Sequence, residues 1–401
     1  MMITKDSRSS ILWYVIPILY SLYYLQGILY DRGLFSLIAI SLLLLLGIFF
    51  CIKTFIVDST RPRPLVTIFI FLSLVTVSYI LSPKYVKSSH ELQPLSTFIQ
   101  FKDLLIFFLS IFTGYQIGLT NRLKNSQLII CCTVFFILAI LYFIRMNAIL
   151  YAITHRNEIT NNAGYFFVAI LPYFILLLKE KKILGWLFIA VSVIFITYTF
   201  KRGAIIITAV ILIYVSTVGN SKKSISLKGI LFAFVLMSCA VYFFLTVMES
   251  SEFMAQRVRA TLAGDSSSRD TLYSYLWNEW LNADVLHQLF GFGMSQTVTF
   301  AGNYAHNDWL EILINYGFFG VILYACILVQ LFKYRKNLNY NKWFKLCYTS
   351  IMLTWIMKTL FSMGIGVPES LSIILLGSLI GNSVSHYRVL VSNTNESSLS
   401  H

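Results

Sequence analysis

Long apolar runs separated by short polar connections dominate the chain. A helix needs about 20 apolar residues to cross the hydrocarbon of a bilayer. Read at that length, the pattern predicts helices at 11–30, 34–52, 65–82, 98–118, 127–145, 164–178, 183–200, 203–218, 229–248, 312–332, 346–364 and 368–386. In lipid only helices and closed barrels satisfy their own backbone groups, and these runs are far too long for barrel strands. The expected fold class is therefore all-α and integral to a membrane, with about twelve transmembrane helices. The expected units are residues 1–248 with the first nine spans, a long connection at 249–311, the last three spans at 312–388, and a Ser/Asn-rich tail at 389–401 expected to be disordered.

The connection at 249–311 is the one stretch between spans long enough to fold, and a structureless loop of that length is uncommon. Within it Tyr273, Leu276, Trp277, Trp280 and Leu281 recur at helical spacing after Ser267 and Asp270. That pattern predicts a capped, aromatic-faced amphipathic helix over 269–281, lying on the membrane surface or roofing a cavity. Gly291 and Gly293 then break the regularity, and Asp308 with Glu311 reads as a second capping box opening the next span.

Composition agrees with the pattern: 57% of the residues are hydrophobic and 12% charged, and the mean hydropathy is +0.74. Soluble chains carry about 25% charged residues. The net charge of +14 does not point to nucleic acid, because the basic residues lie in short clusters between apolar runs, where they set topology. The connections holding Lys53, Arg61 and Arg63, then Lys179, Lys181 and Lys182, then Lys333 through Lys345 form the richer set, which places both termini on the cytoplasmic side. The acidic residues gather on the opposite side, most densely between Glu249 and Glu311. The six cysteines fall in or beside apolar runs and read as small core residues.

Chemistry is expected where ionisable groups sit against their surroundings. Lys201-Arg202-Gly203 separates two apolar runs so closely that its cations lie at the membrane edge; Lys201 can simply snorkel, whereas the Arg202 guanidinium suits a phosphate. Arg269 opens the amphipathic helix, where a cation opposes the helix macrodipole, and Arg257 and Arg259 lie upstream in the same connection. His306 precedes a helix N-terminus, which disfavours imidazolium and keeps the ring in the neutral form a general base requires. Asn307 and Asp308 follow it, as caps or as substrate-binding groups. No metal-ligand spacing, Asp-rich motif, P-loop or dinucleotide fingerprint occurs, so no metal and no cofactor is expected. Lys358, inside the eleventh run, is the residue that keeps a transporter reading open, since carriers place ionisable groups within spans.

Arg202-Gly203, then Ser268-Arg269-Asp270 with Trp277, then Gly291-Phe-Gly293, then His306-Asn307-Asp308-Trp309-Leu310-Glu311 running to Gly317 and Gly320, together resemble the superfamily of O-antigen ligases and Wzy-type O-antigen polymerases. The resemblance covers roughly residues 200–322. It implies a GT-C-like membrane glycosyltransferase of the bacterial inner membrane, with one long periplasmic loop containing short amphipathic helices and a site facing the periplasm. The donor it implies is an undecaprenyl-diphosphate-linked oligosaccharide. The acceptor is another carrier-linked repeat unit for a polymerase, or lipid A-core for a ligase; membrane lipids and a chain-length regulator are the further partners. Carried over by position, Arg202 and Arg269 would hold the diphosphate and His306 would act as base, with Lys201, Arg257, Arg259, Asn307 and Asp308 as substrate-binding groups. The His-Asn-Asp-Trp-Leu-Glu form, continued by Tyr-Gly-Phe-Phe-Gly, is more similar to polymerases.

Overall fold

The computed structural model describes residues 11–29, 33–58, 60–87, 95–120, 123–154, 161–219, 259 and 269–398. The first helices are α1 (Leu12–Leu29), α2 (Leu34–Ile56), α3 (Arg63–Leu81), α4 (Thr97–Thr120), α5 (Asn125–Thr154), α6 (Ala163–Leu177), α7 (Lys182–Tyr198) and α8 (Arg202–Gly219). After them come α9 (Arg269–Leu281), α10 (Val285–Phe290), α11 (Gln296–Ala301), α12 (Asp308–Tyr334), a 3-10 turn (Arg335–Leu338), α13 (Lys342–Phe361) and α14 (Val367–Ser398). A two-residue ribbon, β1 (Tyr85–Val86) against β2 (Leu95–Ser96), is antiparallel with Tyr85 opposite Ser96.

Every expected apolar run except 229–248, which lies outside the described residues, has a helix over it. Among the described residues seven helices are long and apolar enough to cross a membrane, and α1, α6 and α7 carry shorter apolar stretches. Their outward faces are greasy: Leu34, Phe35, Leu37, Phe49 and Ile183 are exposed. Several strongly polar side chains are instead buried, among them Gln100, Gln116, Asp308, Glu311, Lys358 and Glu369. An apolar exterior around a partly polar interior is the arrangement a bilayer selects, because lipid covers the first and cannot solvate the second.

Two ranks of small residues set the centre of the bundle. In α4, Cβ atoms added at Gly114 and Gly118 would lie 1.9 Å and 2.1 Å from the carbonyl oxygens of Ile374 and Ser378 in α14. Reciprocally, Cβ atoms at Gly377 and Gly381 would lie 2.1 Å from the oxygens of Ile111 and Tyr115. Each helix thus carries a G-x-x-x-G stripe turned on the other. Where lipid supplies no hydrophobic drive between helices, such backbone approach is how dispersion contacts accumulate.

Polar contacts define two ends. At one end Ser82 Oγ accepts from Met294 N–H (2.6 Å), Asn161 N–H donates to Thr199 O (2.9 Å), and Gly364 N–H donates to Asp308 Oδ1 (2.8 Å). At the other, Arg388 Nη2 donates to Thr60 (2.5 Å), Asn125 Nδ2 to Glu180 (3.0 Å), and His386 stacks on Tyr340 at 4.1 Å. The expected cytoplasmic basic clusters that are described lie at this second end, and α9 to α11 at the first.

Two sequence expectations change. The tail expected to be disordered from 389 continues α14 as helix to Ser398, since neither Gly nor Pro interrupts it after Gly381. The capping box expected of Asp308 and Glu311 is replaced by Asn307, whose Oδ1 accepts from Trp309 N–H (2.9 Å) and Leu310 N–H (3.2 Å). That releases Glu311 to turn inward.

Candidate functional site

The site is assembled around the segment between α10 and α12, which is pinned from beneath. Glu311, buried in the first turns of α12, accepts at Oε1 from Gln100 Nε2 (2.9 Å), Thr297 Oγ1 (2.7 Å) and Asn315 Nδ2 (3.0 Å), and at Oε2 from Ala305 N–H (2.9 Å). Charged acceptors with several donors make strong hydrogen bonds, and here one carboxylate joins α4, α11, α12 and the residue before His306. Gly317 breaks α12 at φ 65 and ψ −165, and the chain leaving α10 lies in that break. Phe292 N–H donates to Ile314 O (2.8 Å) and Gly293 N–H to Asn315 O (3.1 Å). A Cβ at Gly291 would lie 2.4 Å from Asn315 C, and one at Gly317 2.4 Å from Leu289 C. Those two contacts explain physically why glycines stand at both places.

His306 follows with φ 54, a left-handed backbone that non-glycine residues rarely adopt. It is half-buried. Burial pushes its imidazole below the usual range, and the charges of Arg269 and then Lys201 push it the same way. The direction is the one a neutral ring requires, and its causes are desolvation first and the two cations after it.

Arg269 opens α9, and Lys201 immediately precedes α8. Both converge on Tyr165 at the start of α6. The Lys201 ammonium lies 5.7 Å from the Tyr165 ring centroid, Arg269 acts electrostatically on the same side chain, and Ser362 hydrogen-bonds to its hydroxyl. Neither Tyr165 nor Ser362 stood out in the sequence, because an aromatic in an apolar run and a serine in a short turn carry no periodicity signal of their own. Lys358, on which the transporter reading depended, belongs to this end too: its ammonium sits 4.6 Å from the centroid of Tyr165 and contacts Glu369 in the first turn of α14.

The other expected residues divide. Arg202 is half-buried at the first position of α8, next to Lys201. Arg259 is exposed, and Arg257 lies outside the described residues. The Oδ1 of Asn307 is committed to the α12 cap. Asp308 is buried, with Oδ1 accepting from Gly364 N–H and Oδ2 from Tyr324 Oη at 2.8 Å. Oδ1 ties α12 to the turn after α13, and Oδ2 holds Tyr324 farther along α12 itself.

Two cavities adjoin the site. One of about 560 Å³ runs between α9 and α12, lined chiefly by Tyr273, Trp277, Trp280, Trp309 and Phe318, with Asn307 at its edge. The other, about 270 Å³, lies over Gln100, Asp103, Tyr304, Asp308 and Glu311. The cluster can therefore hold an anion between cations, beside a neutral histidine and an aromatic groove.

Residues 187–325 match the family model described as O-antigen ligase. This segment is similar to the O-antigen ligase family. Its reach, from α7 into α12, takes in Lys201, Arg202, Arg269 and His306, while Tyr165, Lys358 and Glu369 stand outside it. No curated protein matches the chain. The match and the seven long apolar helices among the described residues agree on a multi-pass membrane protein.

Proposed function

We propose that the protein is a membrane glycosyltransferase that takes glycan from an undecaprenyl diphosphate carrier and adds it to another carrier-linked repeat unit at the periplasmic face, as an O-antigen polymerase. The observation that carries this reading is the Lys201 ammonium over the Tyr165 ring, with Arg269 and Lys201 both acting electrostatically on His306. The acceptor hydroxyl attacks the anomeric carbon, the bond from that carbon to the carrier diphosphate breaks, and the hydroxyl proton passes to a ring nitrogen of His306. The diphosphate leaves on its lipid, and attack from the opposite face inverts the anomeric centre. A base must be neutral to take the proton, and the lowered proton affinity of His306 keeps it so near pH 7. Negative charge gathers on the departing diphosphate, where preorganised cations beside a low-dielectric membrane stabilise it strongly. Arg269, Lys201 and Arg202 fill that role, and the aromatic groove beside Asn307 is suited to the apolar part of the carrier.

A ligase that transfers finished polysaccharide to lipid A-core uses the same donor and the same chemistry. The description of the matching family favours it; the His306-to-Glu311 sequence with its Tyr316-to-Gly320 continuation favours the polymerase. Electrophoresis of lipopolysaccharide from a deletion strain, and from one carrying His306→Ala, separates them. A core bearing a single repeat unit supports the polymerase. Bare core with polymer retained on the carrier supports the ligase, and an unchanged ladder from the deletion strain overturns both.

A further inference from the structure

The first turns of α12 carry two different faces. Asp308, Glu311 and Ile312 line the cavity of about 270 Å³ against α4, whereas Trp309, Leu310 and Leu313 line the groove of about 560 Å³ against α9. Residues at i, i+3 and i+4 share one side of a helix, and those at i+1, i+2 and i+5 take the other, so the two hollows lie on opposite sides of α12. His306 stands just ahead of that helix, with Tyr304 and Asp308 on the walls of the α4 cavity and Asn307 and Trp309 on those of the groove. Consecutive Cα atoms are 3.8 Å apart, so those of Tyr304 and Asp308 are each within about 7.6 Å of that of His306.

The two hollows differ in chemistry. The groove is walled by aromatic and aliphatic side chains and fits a lipid. The α4 cavity sets Gln100, Asp103 and Tyr304 among apolar neighbours. A mostly apolar hollow with a few convergent polar groups is the general form of a small-molecule site, and this volume lies at the lower end of their range of about 300–1,000 Å³, which suits a single ring. Its polar groups are not equivalent. Asp308 and Glu311 are buried, and all four of their carboxylate oxygens hold donors of the protein. Gln100 is buried too, donating to Glu311 and accepting from Ser295 Oγ at 2.7 Å. Asp103 and Tyr304 are only half-buried. Both are engaged inside the protein, Asp103 by the Lys102 ammonium at 3.1 Å, so it is exposure that singles them out. A carboxylate offers about four lone-pair sites, and an engaged one still accepts from a further hydroxyl. The ionisable groups on these walls are carboxylic acids and phenols, which favours a neutral ligand over an acidic one.

We propose that the α4 cavity is the acceptor subsite: it takes the neutral terminal sugar of the acceptor glycan, with Asp103 accepting from a sugar hydroxyl and the Tyr304 ring against the apolar face of the sugar. The attacking hydroxyl then reaches His306 from the side of α12 opposite the lipid groove. The inference rests on the glycosyltransferase reading and deepens it.

The test uses full-length protein in lipid nanodiscs and two substrates that cannot exchange roles. The donor is a carrier-linked repeat unit capped at its non-reducing end, and the acceptor is a glycan without diphosphate, either a repeat-unit glycoside or lipid A-core. Asp103→Asn keeps the shape and removes the charge, which weakens a hydrogen bond from a hydroxyl. It is expected to raise the acceptor KM about tenfold and to leave the donor KM unchanged. Met363→Trp narrows the cavity from the turn after α13 and leaves every carboxylate in place; it is expected to raise the acceptor KM by about tenfold or more, again with donor KM unchanged. A folded Asp103→Asn protein with wild-type acceptor KM overturns the proposal, and so does an equal rise in both KM values. Met363→Trp decides alone, by the same two criteria, if Asp103→Asn fails to fold. Wild-type protein that transfers glycan to neither acceptor overturns the glycosyltransferase reading itself. Wild-type transfer matched by both variants overturns only the acceptor subsite.

Discussion

Glu311 accepts the backbone N–H of Ala305 at 2.9 Å, one residue before His306. The same carboxylate holds Gln100, Thr297 and Asn315. The left-handed backbone of His306 is thereby fixed from a helix that forms in any case. A strained residue persists only where its surroundings over-determine it, and this carboxylate supplies much of that constraint.

Replacing Glu311 with Ala strips four donors of their acceptor. Net hydrogen bonds to a charged group contribute about 1.5–3 kcal/mol each, and part of the loss is recovered by relaxation. The expected destabilisation is about 3 kcal/mol, seen as an earlier thermal transition in detergent, together with lost transfer. Wild-type unfolding and activity in a well-inserted variant would remove Glu311 from the support of the site.

The pH dependence follows from His306, whose proton affinity is lowered by burial and then by Arg269 and Lys201 from an ordinary value of 6.5. Activity should fall on the acid side with an apparent pKa below 6.5, because only the neutral ring accepts a proton. Lys201→Met removes one of the depressing charges and should move that limb to higher pH. Stability has the same sign: between the lowered value and 6.5 the unfolded chain binds more protons, so stability drops as pH falls through that window. A Lys201→Met profile superimposable on wild type would count against the electrostatic coupling.

Gly317 has φ 65 and ψ −165, a backbone essentially reserved to glycine. Gly317→Ala should cost about 1–3 kcal/mol from the backbone alone, with further loss because its Cβ would meet the Leu289 carbonyl carbon at 2.4 Å. Protease cleavage of the 282–307 segment should accelerate in this variant before the bundle itself unfolds. Unchanged cleavage would mean the α10 segment is held elsewhere.

Gly114→Leu and Gly377→Leu should each force α4 and α14 apart, since even a Cβ would lie 1.9 Å or 2.1 Å from a facing carbonyl oxygen. Overpacking typically costs about 1–3 kcal/mol, and here the obstacle is backbone that cannot repack. The expected result is poor accumulation in the membrane and a lowered melting temperature. Normal accumulation and melting of both variants would refute the close α4–α14 contact.

The helices were legible along the chain because each must be apolar over its own length, a local requirement that leaves a local trace. α9 was legible as well, at 269–281, from the spacing of Tyr273, Leu276, Trp277 and Trp280. His306 was visible as a histidine ahead of a helix start, whereas the burial and the two cations that lower its proton affinity were not. The sequence offered Asn307 and Asp308 both as caps, and the pull of Tyr324 and Gly364 on Asp308 leaves the role to Asn307. The G-x-x-x-G stripes at Gly114 and Gly377 could have been read as an interface signal, but nothing local says that they face each other.

The sequence by itself determined that this is a chain of long apolar helices fit to cross a membrane, since solvent preference acts residue by residue. Only the tertiary structure decided that Tyr165, Lys201, Arg269, His306 and Lys358 share one end of the bundle, and which buried donors Asp308 and Glu311 hold. Those residues come from α6, α9, α12, α13 and two turns, and what brings them together is backbone packing at glycines and hydrogen bonds between distant segments. Contacts of that kind depend on the whole fold and leave no period in the chain.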